Sequence, residues 1–308
     1  MRRGSAPPDL KAAFPVHALA MRDVMKLSRM ASHEELNPQQ WQPSMGPLCF
    51  VSHQWACQSS PDPDGVQIAA LKDSFTKLHE LFSQSHNTAQ VGVPPIDPSE
   101  YDQLWVWLDY WSIPQAADSV LQRDAAIDSI PYYAAASSFM IVLCPPMKQR
   151  DTGVDCDLTS WEQRGWCRLE RMAFTLASFS TISPPKVYIV KGSSLFGRLK
   201  NTYFTKASQS VFKGEFTFAR DRRRLLPVAT MIFKSACLHL HEQDLCAWRK
   251  LLSMEYAGSP DPAARRPMAC CSSESVSYAS RHVFFSGCDK WAASCEVIRC
   301  AVSVESFL

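Results

Sequence analysis

Four short apolar runs separated by stretches of helical periodicity leave this chain few folds to choose from. The runs are Leu48-Cys-Phe-Val51, Leu104-Trp-Val-Trp-Leu108, Phe139-Met-Ile-Val-Leu-Cys144 and Lys186-Val-Tyr-Ile-Val190. Each is of strand length and apolar without alternation, the pattern of a strand buried on both faces. Between the first two, Ile68, Leu71, Phe75, Leu78 and Phe82 trace one helical face. Asp118–Ser129 and Gln163–Ala177 are also helical in pattern, and Pro131 suits the first turn of a further short helix. Strands alternating with helices predict parallel pairing through right-handed crossovers, hence an open α/β sheet covered on both faces.

The flanks read differently. Residues 1–45 predict a helical and irregular lead-in: Val16, Leu19, Ala20, Val24, Leu27 and Met30 fall at helical spacing, and Ser32-His-Glu-Glu35 has the form of a capping box. Residues 46–252 are expected to form the α/β domain, with its core over 48–192, and Leu225–Leu252 predicts a helix broken at Pro227. Residues 253–308, rich in cysteine and serine and without apolar periodicity, predict a poorly ordered tail.

Composition excludes several classes of function. Of 308 residues, 32 are Lys or Arg and 30 are Asp or Glu, a net charge of +2, so nucleic acid is not an expected partner. No apolar run approaches the ~20 residues of a membrane-spanning helix. Pro7, Pro8, Asp9, Lys11 and Pro15 interrupt any leader core. Twelve cysteines in a chain of this length, without a leader, point to a reducing cytoplasm rather than a disulfide framework.

In an open parallel sheet, ligands bind at the carboxyl ends of the strands. The first strand ends in Ser52-His53-Gln54-Trp55 and the second in Asp109-Tyr110-Trp111-Ser112. The helix after the third carries Arg164-Gly-Trp-Cys-Arg-Leu-Glu170. Glu170 stands four residues after Trp166 and three before Ala173, so it projects from the inward apolar stripe. A carboxylate there needs a partner or a task, because an unpaired buried charge is costly. The structural alternative is a bridge to Arg164, Arg168 or Arg171; Arg171 is adjacent and points elsewhere, and Arg168 is offset by about 200° around the helix. Asp109 has its own structural alternative as a turn-former before Ser112 and Pro114. For Ser52 and His53 the alternative is bonding to loop backbone.

Phe50-Val-Ser-His-Gln-Trp55, Pro61-Asp-Pro-Asp-Gly65, Trp107-Leu-Asp-Tyr-Trp-Ser-Ile-Pro-Gln115 and Arg164-Gly-Trp-Cys-Arg-Leu-Glu170 occur in that order at successive βα positions. Over about residues 48–192 this arrangement resembles a TIR (Toll/interleukin-1 receptor/resistance-protein homology) domain of a divergent variety. The resemblance implies a flavodoxin-like, five-stranded parallel sheet. It also implies one of two activities. One is cleavage of NAD at the nicotinamide–ribose bond; the other is non-enzymatic association, with itself or with other TIR-like domains, in a signalling assembly. In the enzymatic members a glutamate within Trp-Cys-x-x-Glu is essential, which here is Glu170. Ser52, His53, Trp55, Asp109, Tyr110, Ser112 and Trp166 would then line the substrate site, with Trp55 or Trp111 stacking on a ring of the substrate. NAD enters as substrate, and no bound cofactor or metal is implied. The first loop departs from the plant-type pattern of arginine, glycine and acidic residues, the loop after the second strand lacks the familiar glycine, and Asp155–Gln163 adds length before the glutamate helix.

Other chemistries find less support. A cysteine hydrolase would pair Cys167 or Cys57 with His53 or His79, but no cysteine has an obvious base beside it. Cys237-x-His239-x-His241-x4-Cys246 and the tail cysteines lack the Cys-x2-Cys pairing of a zinc site. Arg220-Asp-Arg-Arg-Arg224 reads as a solvated helix end, and no G-x-G-x-x-G or P-loop occurs.

Overall fold

A computed structural model describes residues 10–83, 96–177, 186–192, 196–198 and 211–239. Nine strands are found among them: β1 (His17–Ala20), β2 (Gln39–Gln40), β3 (Leu48–His53), β4 (Trp105–Leu108), β5 (Phe139–Leu143), β6 (Met147–Lys148), β7 (Asp155–Cys156), β8 (Val187–Val190) and β9 (Phe196–Arg198). Nine helices accompany them: α1 (Met21–Val24), α2 (His33–Leu36), α3 (Val66–Ser83), α4 (Asp109–Ser112), α5 (Val120–Asp128), α6 (Ile130–Ala136), α7 (Leu158–Gln163), α8 (Gly165–Ala177) and α9 (Ala219–His239). Seven strands form one sheet in the order β2-β1-β4-β3-β5-β8-β9, and β6 with β7 makes a separate hairpin.

The four apolar runs are the parallel centre of the sheet. β3 pairs with β4 on one side and with β5 on the other, and β5 pairs with β8, all parallel. All six residues of β3 and all five of β5 are buried, as their unbroken apolar sequences require. Side chains alternate between two cores. Phe50, Trp107, Met140 and Val187 face a cluster that takes in residues of α6, α8 and α9. Cys49, Val51, Val106, Ile141 and Tyr188 face the cluster built with α1, α3 and Trp111. Phe50 lies flat on Trp107, ring centroids 4.4 Å apart.

The sheet is mixed rather than wholly parallel. β9 returns antiparallel to β8, and β1 runs antiparallel to β4 with Leu19 opposite Val106. Residues 16–21, expected as part of a helical lead-in, therefore add an edge to the sheet, with β2 outside β1. Their helical spacing concealed a second pattern: Val16, Ala18 and Ala20 enter one core while Leu19 and Met21 enter the other. Among the described residues of the lead-in the α-helices are the short α1 and α2, with a single 3-10 turn at Pro43–Met45, and Ser32 with Glu35 forms the expected capping box of α2.

The expected helix 163–177 is α8, which starts two residues later at Gly165, and a further short helix, α7, precedes it, the two parted at Arg164. The break is filled from outside. Gly165 N–H donates to Glu215 O (2.9 Å), and Glu215 N–H donates to Gln163 O (2.7 Å). The approach depends on two glycines, since a Cβ at Gly214 would stand 2.5 Å from the Gly165 Cα and one at Gly165 2.0 Å from the Phe216 ring. α9 runs through Pro227 instead of breaking there. Leu225, Val228, Ala229 and Ile232 are buried in the core beneath it, and that packing outweighs the lost backbone bond. Residues 240–252 and the tail 253–308 lie outside the described residues. No helix among the described residues is long and apolar enough to cross a membrane.

Candidate functional site

β3 extends two residues beyond its apolar run, and this extension organises the site. Ser52 and His53 are consecutive strand residues, so their side chains leave the sheet on opposite faces. Ser52 points to the α8 face and His53 to the α3 face. Two polar groupings result, one on each side of the strand end.

On the α8 face Ser52, wholly buried, donates from Oγ to Glu170 Oε2 across 2.5 Å. The same hydroxyl accepts from Trp161 Nε1 at 3.0 Å, which orients its proton towards the carboxyl. Glu170 is 8% exposed and, among the described residues, makes no ion pair. The arginines considered as partners are directed elsewhere: Arg164 donates to Thr217 Oγ1, Arg168 to Glu162 O, and Arg171 faces Glu162 at 3.7 Å. Burial pushes the Glu170 carboxyl up to about 8, the nearby charge of Asp109 adds to the rise, and the Ser52 bond and the charges of His53 and Arg164 oppose it. Glu170 is thus mostly protonated at neutral pH.

On the α3 face His53 bridges two elements. Nε2 lies 2.7 Å from Asp109 Oδ1, and Nδ1 lies 2.9 Å from Gln67 Oε1. Trp55 Nε1 donates to the other Asp109 oxygen at 2.9 Å. Burial alone would lower the imidazole, but the Asp109 charge and the bonds to Asp109 and Gln67 reverse this, and His53 titrates above its ordinary value. Burial opposes ionisation of Asp109 too, yet His53 and the Trp55 donor hold its carboxyl below the usual range. The His53 side chain is 2% exposed and that of Asp109 28%, so the cation is interior and the anion meets solvent. Tyr110 packs edge-on against Trp55, ring centroids 5.5 Å apart. The loop behind them is fixed by Asp62, whose two oxygens accept from Gln67 N and Ile68 N at the start of α3.

The structure brings Glu170, Ser52, His53, Trp55, Asp109 and Tyr110 together at the carboxyl edge of β3 and β4. Ser112 and Trp166 stand apart. Ser112 is buried, and its Oγ accepts from Leu108 N in the turn after β4. Trp166 turns its indole N–H to Asp221 Oδ2 on α9. Trp111, considered as a stacking surface, is wholly buried and donates to Val106 O. Two residues of the site escaped the sequence reading. Gln67, 1% exposed, lies one turn before Leu71 on the apolar stripe of α3, and a polar residue on such a stripe is the same signal that singled out Glu170. Trp161 carried no comparable signal.

The two cysteines considered as nucleophiles are not placed for that role, and Cys57 turns its thiol to Ser59 Oγ and Asp151 Oδ1 rather than to a histidine. Cys167 is buried with its thiol towards His53 O, and burial pushes it well above its ordinary value, which leaves no thiolate to react. Among the described residues no group of three His, Cys, Asp or Glu side chains is placed to hold a metal ion. Comparison with protein-family models, with curated proteins and with solved structures gives no match to this chain.

Proposed function

We propose that this chain is a TIR-like signalling domain that cleaves NAD at the nicotinamide–ribose bond, with Glu170 stabilising the ribosyl centre. The observation that carries the reading is a buried carboxyl with no arginine in ion-pair contact among the described residues, hydrogen-bonded to Ser52 at the carboxyl edge of the parallel strands, where open α/β sheets bind ligands. The order of its parallel strands, second-first-third-fourth along the chain, is also that of the first four strands of flavodoxin-like sheets.

The chemistry suits a carboxyl that rests protonated. Nicotinamide leaves as a neutral molecule, taking the electron pair of the glycosidic bond, so no strong acid is needed. What develops is positive charge on the ribose carbon. A substrate already bearing a pyridinium charge favours ionised Glu170 on binding, because an opposite charge close by lowers a carboxyl pKa. The proton leaves to solvent, and the carboxylate then faces the oxocarbenium-like centre. When water adds to that carbon, Glu170 takes its proton. Asp109, held ionised beside Trp55 and Tyr110, supplies negative potential for the same cationic ring.

A second reading, association with TIR-like chains without catalysis, rests on Val120 and Leu121 at the start of α5, 47% and 84% exposed. Nicotinamide release by the full chain at high protein concentration, with Glu170→Ala as control, separates the two. Release that disappears in the variant supports cleavage, and none from folded protein favours association.

A further inference from the structure

We infer that Gln67 is a positioning residue that locks His53 in its doubly protonated form, so that the charge offered at the solvent side of the site is an ionised Asp109. The donors and acceptors around the imidazole fix this state, independently of NAD cleavage. The Gln67 amide has one possible orientation. Its nitrogen lies 2.9 Å from Gln54 O and 2.8 Å from Pro61 O, and backbone carbonyls only accept. Both amide hydrogens are therefore used, and Oε1 must be the atom that faces His53 Nδ1. An amide oxygen only accepts, so Nδ1 carries a hydrogen. The other ring nitrogen meets Asp109 Oδ1 at 2.7 Å. The proton shared there belongs to the imidazole, the stronger base of the two. Trp55 N–H on the remaining Asp109 oxygen favours the carboxylate further.

His53 with both nitrogens protonated is a buried cation, not a general base. Every group that faces it agrees with that state. Asp109 from the start of α4 is its counterion, Gln67 from α3 its neutral acceptor, and Glu170 from α8 a carboxyl whose ionisation would favour the cation further. Cys167 reaches only the His53 carbonyl. Had Gln67 been a hydrocarbon, Nδ1–H would be buried without an acceptor, and loss of that proton would be favoured. The neutral ring would then hold Asp109 by a single bond and no charge. The ligand class that suits the resulting edge is a planar cation, which finds a fixed carboxylate between Trp55 and Tyr110.

The test is a pH titration of His53 in the full chain by imidazole nitrogen NMR, assigned by comparison with His53→Gln. Expected in the wild type are two protonated ring nitrogens at pH 7 and a midpoint above the ordinary ~6.5. Gln67→Met should lower that midpoint by about one unit or more, and Gln67→Glu should restore or raise it. A merely structural role would leave the midpoint unmoved in both. A wild-type ring with a single protonated nitrogen at pH 7 overturns the inference, as does an unchanged midpoint in folded Gln67→Met. Should Gln67→Met not fold, Asp109→Asn decides together with the wild type: the lock requires its His53 midpoint to fall below the wild-type value, and an unchanged midpoint refutes it. Nicotinamide release is not read, so failure here and failure of NAD cleavage remain separate results.

Discussion

Ser52 Oγ donates to Glu170 Oε2 over 2.5 Å, while the residue next to it, His53, turns to the opposite face and pairs with Asp109. One strand end thus holds a protonated carboxyl on one side and an ion pair on the other. The two respond to pH in different ways, and each response can be measured.

The Glu170 carboxyl titrates near 8 in the folded chain and near its ordinary value of 4.5 when unfolded. Between those limits the folded state holds the extra proton, so stability falls as pH rises from about 5 to 8, by a few kcal/mol in order of magnitude. Glu170→Gln should fold and should lose most of that slope. Urea denaturation at several pH values in this range makes the comparison.

Asp109 and His53 work in the other sense at acid pH. A depressed carboxylate contributes stability above its unfolded value and loses it as pH falls, and a raised imidazole contributes below its unfolded value and loses it as pH rises. Their joint contribution is therefore greatest from about pH 4 to 6.5, and persists upward to the raised His53 value. Asp109→Asn should cost about 1–3 kcal/mol in that window and less above it. Thermal melts at pH 5.5 and 8.5 give the two figures.

Ser52→Ala leaves the Trp161 N–H without its acceptor inside the protein and removes a bond that favours ionised Glu170. A loss of about 1–3 kcal/mol is expected from denaturation curves. Glu170 should also titrate higher than in the wild type, which carboxyl infrared absorption can follow.

Gly214→Ala should destabilise more than Gly165→Ala. The new Cβ at 214 meets backbone atoms of Gly165, whereas the nearest atoms to the one at 165 belong to the Phe216 side chain, which can shift more readily than backbone. Phe216→Leu should rescue part of the Gly165→Ala loss and none of the Gly214→Ala loss, judged by melting temperature.

Much of this arrangement was legible in the residues. The four buried strands announced themselves because a strand covered on both faces carries few polar side chains, and Glu170 and Asp109 stood out against that background. The ends were not legible. β1 was concealed because Val16, Leu19 and Ala20 satisfy helical spacing and strand alternation at once. Pro227 misled because its penalty is local while the burial of Leu225, Val228 and Ile232 is tertiary. The division of Ser52 from His53 between two faces needed the knowledge that β3 continues past Val51, which polar residues do not advertise.

In the proposed reaction Glu170 is a protonated carboxyl that ionises for a cationic substrate. Nicotinamide release from NAD as a function of pH reads that ionisation. kcat/KM, which reports the free protein, should rise about tenfold per pH unit up to a plateau near 8, while kcat levels off at lower pH because bound substrate lowers the Glu170 value. Glu170→Gln, folded, should fall by roughly a thousandfold or more. No release from folded wild-type protein at any pH, or equal release from Glu170→Gln, would contradict it.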